Sequence, residues 1–140
     1  MATETFTIQM FSIHGLIRGR NLELGRDADT GGQTLYVVEL AKSLSRCPEI
    51  RRVDLFTRLI SDPRVSEDYA REVEELNEKC RIIRIRCGGL KYMRKERLWP
   101  HLDEFINRTI TFIKRQGEVP DFFHGHYADA GYVSRRLSRF

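Results

Sequence analysis

Apolar and polar residues alternate from Phe6 to Ile13, and that period of two predicts a first strand. From His14 to Asp29 the period is lost, and Gly15, Gly19 and Gly25 punctuate a predicted long loop. Thr30 offers a cap to a helix opening at Gly31 or Gly32. Leu35, Val38, Leu40, Ala41 and Leu44 recur in it at three- and four-residue steps as the predicted buried face. Pro48 ends that helix. Val53, Leu55 and Phe56 mark a second strand over Arg52–Thr57, and a loop around Pro63 follows. The charged stretch Glu67–Lys79 places Tyr69, Val73 and Leu76 at helical spacing and predicts a surface helix. Arg81–Cys87 alternates strictly, with Ile83, Ile85 and Cys87 to one side and Arg84 and Arg86 to the other, as a strand at a sheet edge would. A basic loop, Gly88–Arg97, leads to an amphipathic helix over Trp99–Gln116. Leu102, Phe105, Ile106, Ile110 and Ile113 face inward there, Pro100 sits in the first turn, and the Trp99 indole is expected to pack. Gly117 and Pro120 stop it, a short strand covers Asp121–Gly125, and a last helix covers Asp129–Phe140.

Strands and helices in this alternation predict an α/β fold: a doubly wound, mostly parallel sheet with helices on both faces. In such sheets ligands sit beyond the carboxyl ends of the strands. The loops leaving those ends, His14 to Gln33, Gly88 to Lys95 and His124 to Asp129, are therefore expected to converge on one crevice. There is no internal repeat, low-complexity segment or linker.

A length of 140 residues fits one domain, and 41% hydrophobic with 31% charged residues is the balance of a soluble globular protein. No apolar run reaches membrane-spanning length and no secretion signal is visible, so a cytoplasmic protein is expected. Cys47, Cys80 and Cys87 lack metal-like spacing and read as reduced thiols, buried or half-buried. The net charge is +4, but the arginines are scattered rather than gathered into a stripe with aromatics between them. That argues against a nucleic-acid partner. They serve either as solvated faces or in phosphate recognition.

Four motifs carry candidate chemistry, each beside a plainer reading. Gly31-Gly32-Gln33 opens a helix, where unpaired backbone N–H groups attract anions and hydroxyl oxygens and glycine admits a ligand closely. A side chain at Gly32 is expected both to block a sugar and to strain the helix start. The plainer reading is a tight turn. The spacing fits neither the dinucleotide fingerprint nor the P-loop. Lys91 and Lys95 lie four apart in a glycine-opened loop with Arg94 and Arg97, a set of cationic donors suited to a phosphate monoester or simply a solvated loop. HGHYADAG, residues 124–131, ends a strand and opens a helix. His124 is expected in the core, while His126 and Asp129 stand at the helix start, where a carboxylate can accept from sugar hydroxyls. His14-Gly15 marks the end of the first strand and reads otherwise as a turn. There is no serine-hydrolase elbow and no zinc ligand set.

SIHGLIRGRNLELGRDADTGGQTLYVVELA at 12–41, RVDLFTR at 52–58, GGLKYMRKERLWPHLDEF at 88–105 and HGHYADAG together resemble the start of the glucosyltransferase domain of sucrose-phosphate synthases. The resemblance implies a GT-B enzyme of two facing Rossmann-like domains, transferring glucose from UDP-glucose to fructose 6-phosphate with retention, with no cofactor beyond UDP-glucose as co-substrate. It places Gly31, Gly32 and Gln33 between the donor and acceptor sugars and His14 near the donor diphosphate. It gives His126 a place in the crevice wall, Asp129 the acceptor hexose, and Lys91 and Lys95 the acceptor phosphate. Leu90 and Arg94 stand where the family wording has an acidic residue and a proline. The resemblance covers part of the N-terminal, acceptor-side domain and not the donor-binding C-terminal domain, so no catalytic residue is assigned. The isolated chain is expected to be inactive. It is also expected to self-associate through an unpaired sheet edge and a final helix whose Tyr132, Val133 and Leu137 are poorly covered. Two alternatives stand beside this: a sucrose synthase using free fructose, and a non-catalytic sugar-phosphate-binding module.

Overall fold

The computed structural model describes residues 4–140. The alternating first segment forms β1, Phe6–Phe11, at the heart of a five-stranded sheet. β2, Ile50–Arg58, pairs with it in parallel on one side and β5, Phe122–Gly125, in parallel on the other. β4, Cys80–Ile85, lies parallel beyond β2, and β3, Val73–Asn77, closes that edge antiparallel. Successive residues of one strand point to opposite faces. Met10, Leu55 and Ile82 thus meet Val37, Val38 and Ala41 of α1, Gly32–Ser45. Phe11, Phe56 and Ile83 meet Phe105 and Ile106 of α3, Leu102–Gln116, and Val133 of α4, Tyr127–Leu137. Two cores on one sheet make the doubly wound arrangement that the sequence predicts.

The predicted surface helix over Glu67–Lys79 does not form. A 3₁₀ turn, Glu67–Ala70, is followed by β3 and a tight hairpin into β4. Val73, Glu75 and Asn77 are exposed while Glu74 and Leu76 are half-buried, a period of two in place of 3.6. Tyr69, which suggested the helix, packs instead with Leu16 and Ile60 in a separate small cluster. β4 is consequently an inner strand. Arg84, on the face opposite Ile83 and Ile85, is buried, and its guanidinium donates to Glu74 Oε1 at 2.7 Å, the Ile17 carbonyl at 2.9 Å and the Arg71 carbonyl at 3.1 Å.

Other expectations shift for local reasons. The buried stripe of α1 is Thr34, Val37, Val38, Ala41 and Ser45, whereas Leu35 is exposed. Thr34 and Ser45 tolerate burial because their hydroxyls donate to helix carbonyls, those of Gly31 and Lys42. Thr30 does not cap α1; Gly31 does, without a side-chain bond. The basic loop ends early in a short helix α2, Lys95–Leu98, and a turn over Trp99–His101 in which Trp99 is exposed rather than packed. α4 begins two residues before its expected start, and Val133 and Leu137 are buried against α3, not left uncovered. Cys80 and Cys87 are buried, with burial pushing each thiol up to about 11, but Cys47 is exposed. Among the described residues, no helix is long and apolar enough to cross a membrane.

The Arg84–Glu74 pair should hold the β3 edge in place. Removing one partner of a buried ion pair costs about 3–5 kcal/mol because the other charge is left unpaired. Arg84→Ala is expected to lower the free energy of urea unfolding by that order. The Arg84→Ala/Glu74→Ala double variant should lose less than the two singles combined; strict additivity would show that the two side chains are not coupled.

Candidate functional site

β1 and β5 are neighbours whose onward connections run to opposite sides of the sheet, which opens a crevice beyond their carboxyl ends. Past the end of β1 the chain enters the crevice floor, where the buried His14 Nδ1 meets Asp129 Oδ2 at 2.7 Å. Asp129 Oδ1 accepts from the Ala130 N–H at 2.8 Å. The HGHYADAG loop is thus latched to the His14 loop. Tyr127 stands edge-on to the His14 ring at 5.1 Å, with a left-handed φ of 70° that is uncommon for a residue with a side chain. Gly15, at φ 87°, lets the His14 loop pass against the Asp29 carbonyl; a Cβ there would collide with that oxygen.

The glycine pair lies directly beyond. Gly31 is the N-cap of α1, no acidic residue stands in the first turn, and Gly32 is exposed with nothing within 4 Å of where a Cβ would stand. A side chain at Gly32 would therefore meet no other element among the described residues and would occupy the open space in front of the helix. The Gln33 amide is already engaged: its Nε2 donates to the Asp29 carbonyl at 2.7 Å.

The basic loop folds onto this glycine loop. Asp29 accepts from the Lys95 backbone N–H at 2.8 Å and from Lys95 Nζ at 3.1 Å. Burial pushes the Asp29 carboxyl up, but the two Lys95 bonds and its positive charge together leave it lowered from 3.8. Tyr92 OH donates to Asp27 at 2.9 Å and lies 3.2 Å from the Thr30 hydroxyl, and burial pushes its phenol above the usual tyrosine range. The two lysines paired by the sequence therefore differ. Lys95 lies between Asp29 and Glu96, while Lys91 is exposed. Lys91, Arg94 and Arg97 form no ion pair among the described residues, and they line a groove of about 940 Å³. A recess of about 320 Å³ shares its Tyr92–Arg94 wall and reaches Asp27, Asp29 and Lys95.

The structure brings all three expected loops together and moves some of their members. His124 is exposed on β5, not in the core. His126 is half-buried, with Tyr36 edge-on at 5.9 Å and the His124 ring at 4.5 Å. Its Nε2 is buried without a hydrogen-bond partner among the described residues, and burial, then His124, pushes its imidazole below the usual range. Sequence reasoning missed Tyr36, Tyr92, Asp62 and Arg64. The signal for the last two was topological: the loop leaving β2 is also a carboxyl-end loop.

This combination, a doubly wound sheet with an open glycine helix start and a cationic groove at its carboxyl edge, is that of a Rossmann-like ligand-binding domain, and likeness to known proteins says of which class. The model of a family described as "Sucrose synthase first GT-B domain" matches residues 2–139. "Probable sucrose-phosphate synthase 1" of Oryza sativa subsp. indica is 46% identical over 156 residues, covering 94% of this chain and 14% of that protein. "Sucrose-phosphate synthase 4" of Arabidopsis thaliana is 46% identical over 152 residues, covering 94% and 14%. The solved structure of a sucrose-phosphate synthase from Thermosynechococcus elongatus superposes with a TM-score of 0.76 at 28% identity, over 96% of this chain and 30% of that one. The chain belongs to the sucrose-phosphate synthase family of GT-B glycosyltransferases, and it spans a small part, 14%, of the length of the plant relatives it matches.

The Asp29–Lys95 latch has a pH signature. Because the folded pKa of Asp29 lies below 3.8, its contribution is present above that pH and is lost as pH falls through the lowered folded value. Asp29→Asn should melt below the wild type at pH 6, and the gap should narrow by pH 3. A gap that stays constant between the two would show that Asp29 is not the titrating group.

Proposed function

We propose that this chain forms the acceptor side of an enzyme that transfers glucose from UDP-glucose to fructose 6-phosphate, with retention, giving sucrose 6-phosphate. The observation that carries this reading is the groove of unpaired cations, Lys91, Arg94 and Arg97, beside the open start of α1. Free fructose has no charge to match them, and a phosphate monoester does. This favours the phosphate-using enzyme over a sucrose synthase.

In this reading Lys91 binds the phosphate directly. Lys95 reaches it from its place against Asp29, which fixes the loop in advance. Asp129, aimed by His14 and the Ala130 N–H, forms the floor under the acceptor hexose, and His126 presents its unpartnered Nε2 to the crevice wall. Gly31, Gly32 and Gln33 leave room where donor and acceptor meet, with His14 towards the donor diphosphate. UDP-glucose is the co-substrate and no other cofactor is invoked. In the family the groups that stabilise the departing UDP belong to a second domain, and such stabilisation is usually the largest catalytic term. The 140-residue chain is accordingly proposed to bind acceptor without transferring glucose, to work in the cytoplasm, and to self-associate through the free edge of β5, where Phe122 is exposed.

Calorimetric titration of the 140-residue chain should show tighter binding of fructose 6-phosphate than of fructose. Lys91→Ala should weaken the former about tenfold or more, the equivalent of one charge-assisted hydrogen bond. Equal affinity for both sugars, unmoved by Lys91→Ala, would instead point to the fructose-using alternative or to no acceptor site. Gly32→Val should leave the melting temperature unchanged, since among the described residues no other element stands within 4 Å of that Cβ, yet abolish sugar binding. Retained binding would make the glycine pair a turn and nothing more.

A further inference from the structure

Resting on that reading, we infer that Arg64, on the loop after β2, is a further specificity-determining contact to the acceptor's phosphate, held in place by Asp62. Arg64 lines both the cationic groove and the smaller recess that reaches Asp29 and Lys95. Among the described residues, no other cationic side chain outside the Lys91–Arg97 segment lines both.

Its position is built. The Asp62 side chain is buried and accepts from Arg64 Nε at 3.1 Å and from Arg64 Nη2 at 2.7 Å, one to each oxygen. The Arg64 backbone N–H also donates to Asp62 Oδ1 at 2.9 Å. The same carboxylate accepts from the Tyr92 N–H at 3.1 Å, so one buried acid clasps Arg64 and the backbone of the basic loop together. The Arg64 guanidinium and then its backbone N–H hold the Asp62 carboxyl well below the usual range, so it stays anionic wherever the chain is folded near neutrality. Two further bonds fix the loop from outside: Arg26 Nη2 to the Arg64 carbonyl at 2.7 Å, and the Ser61 N–H to the Leu90 carbonyl at 2.8 Å.

The clasp consumes one edge of the guanidinium. Nη1 makes no hydrogen bond among the described residues, and the Arg64 side chain is 68% exposed, so the free edge is available to an anion. A planar fork pinned on one edge loses little further freedom when the other binds phosphate, which a lysine at the same place could not reproduce. The phosphate would then be gripped from two elements, the loop after β2 and the loop after β4. Asp62 is the positioning residue: it touches Arg64 and the loop, not the ligand.

The test titrates the 140-residue chain with fructose 6-phosphate, inorganic phosphate and fructose. Arg64→Ala should weaken fructose 6-phosphate and phosphate about tenfold while leaving fructose unchanged. Arg64→Lys should recover only part of that loss. Asp62→Asn, checked for an intact melting transition, should weaken the two phosphate ligands without moving fructose, which a general structural defect would not do. Wild-type affinity in Arg64→Ala, with Lys91→Ala still impaired, would overturn the role of Arg64 and leave the acceptor-phosphate site standing. Failure of the unmodified chain to prefer fructose 6-phosphate over fructose would overturn the site and the role of Arg64 together.

Discussion

Because helices cover both faces of the sheet, polar chemistry is pushed to the strand ends, and parallel pairing puts four of those ends on one side. β1, β2, β4 and β5 all deliver their following loops to the same edge. The apolar residues that recur along β1, β2 and β4, the glycine-opened start of α1 and the basic loop after β4 accord with that constraint. Where a strand does bury a charge, as with Arg84 and Asp54, a partner meets it, and the loops hold the charges left open to a ligand.

At that edge carboxylates act as fasteners. Asp27 and Asp29 hold the basic loop through Tyr92 and Lys95, Asp62 holds it again from the loop after β2, and Asp129 holds the loop after β5 to His14. These contacts are buried or half-buried, so solvent screens them less than it screens a surface pair. The exposed pair Arg108–Glu104 on α3 has the ion-pair geometry but lies in the range of about 0–1 kcal/mol. Once the fasteners have taken their partners, Lys91, Arg94 and Arg97 remain. A site whose acids are spent on structure and whose leftover charges are positive is suited to an anion.

The crevice floor carries a second kind of constraint, in backbone shape. Gly15 is a glycine because the Asp29 carbonyl occupies the space of a side chain, and Gly125 because the Ala130 carbonyl and the Ser134 hydroxyl crowd it where α4 folds back on β5. Tyr127 holds a left-handed conformation at a cost of about 1–3 kcal/mol, which the surrounding packing has to offset. Its ring stands edge-on to His14, the same residue that meets Asp129.

Legible along the chain were the doubly wound fold, four of the five strands, the Gly117 stop of α3 and the three loops that meet at the crevice. Those features rest on periodicity and on turn chemistry, which are local. The family wording likewise lay in contiguous motifs. Tertiary structure decided the rest. β3 could not be distinguished from a charged helix until the edge of β4 was there to pair with it. Arg84 could not be known as buried until β3 covered it. Lys91 and Lys95 looked equivalent, but only one of them meets Asp29, a residue 66 positions away in the chain. Choice of an ionic partner depends on which distant loops arrive at the same place, and neither spacing nor composition along the chain encodes that arrival.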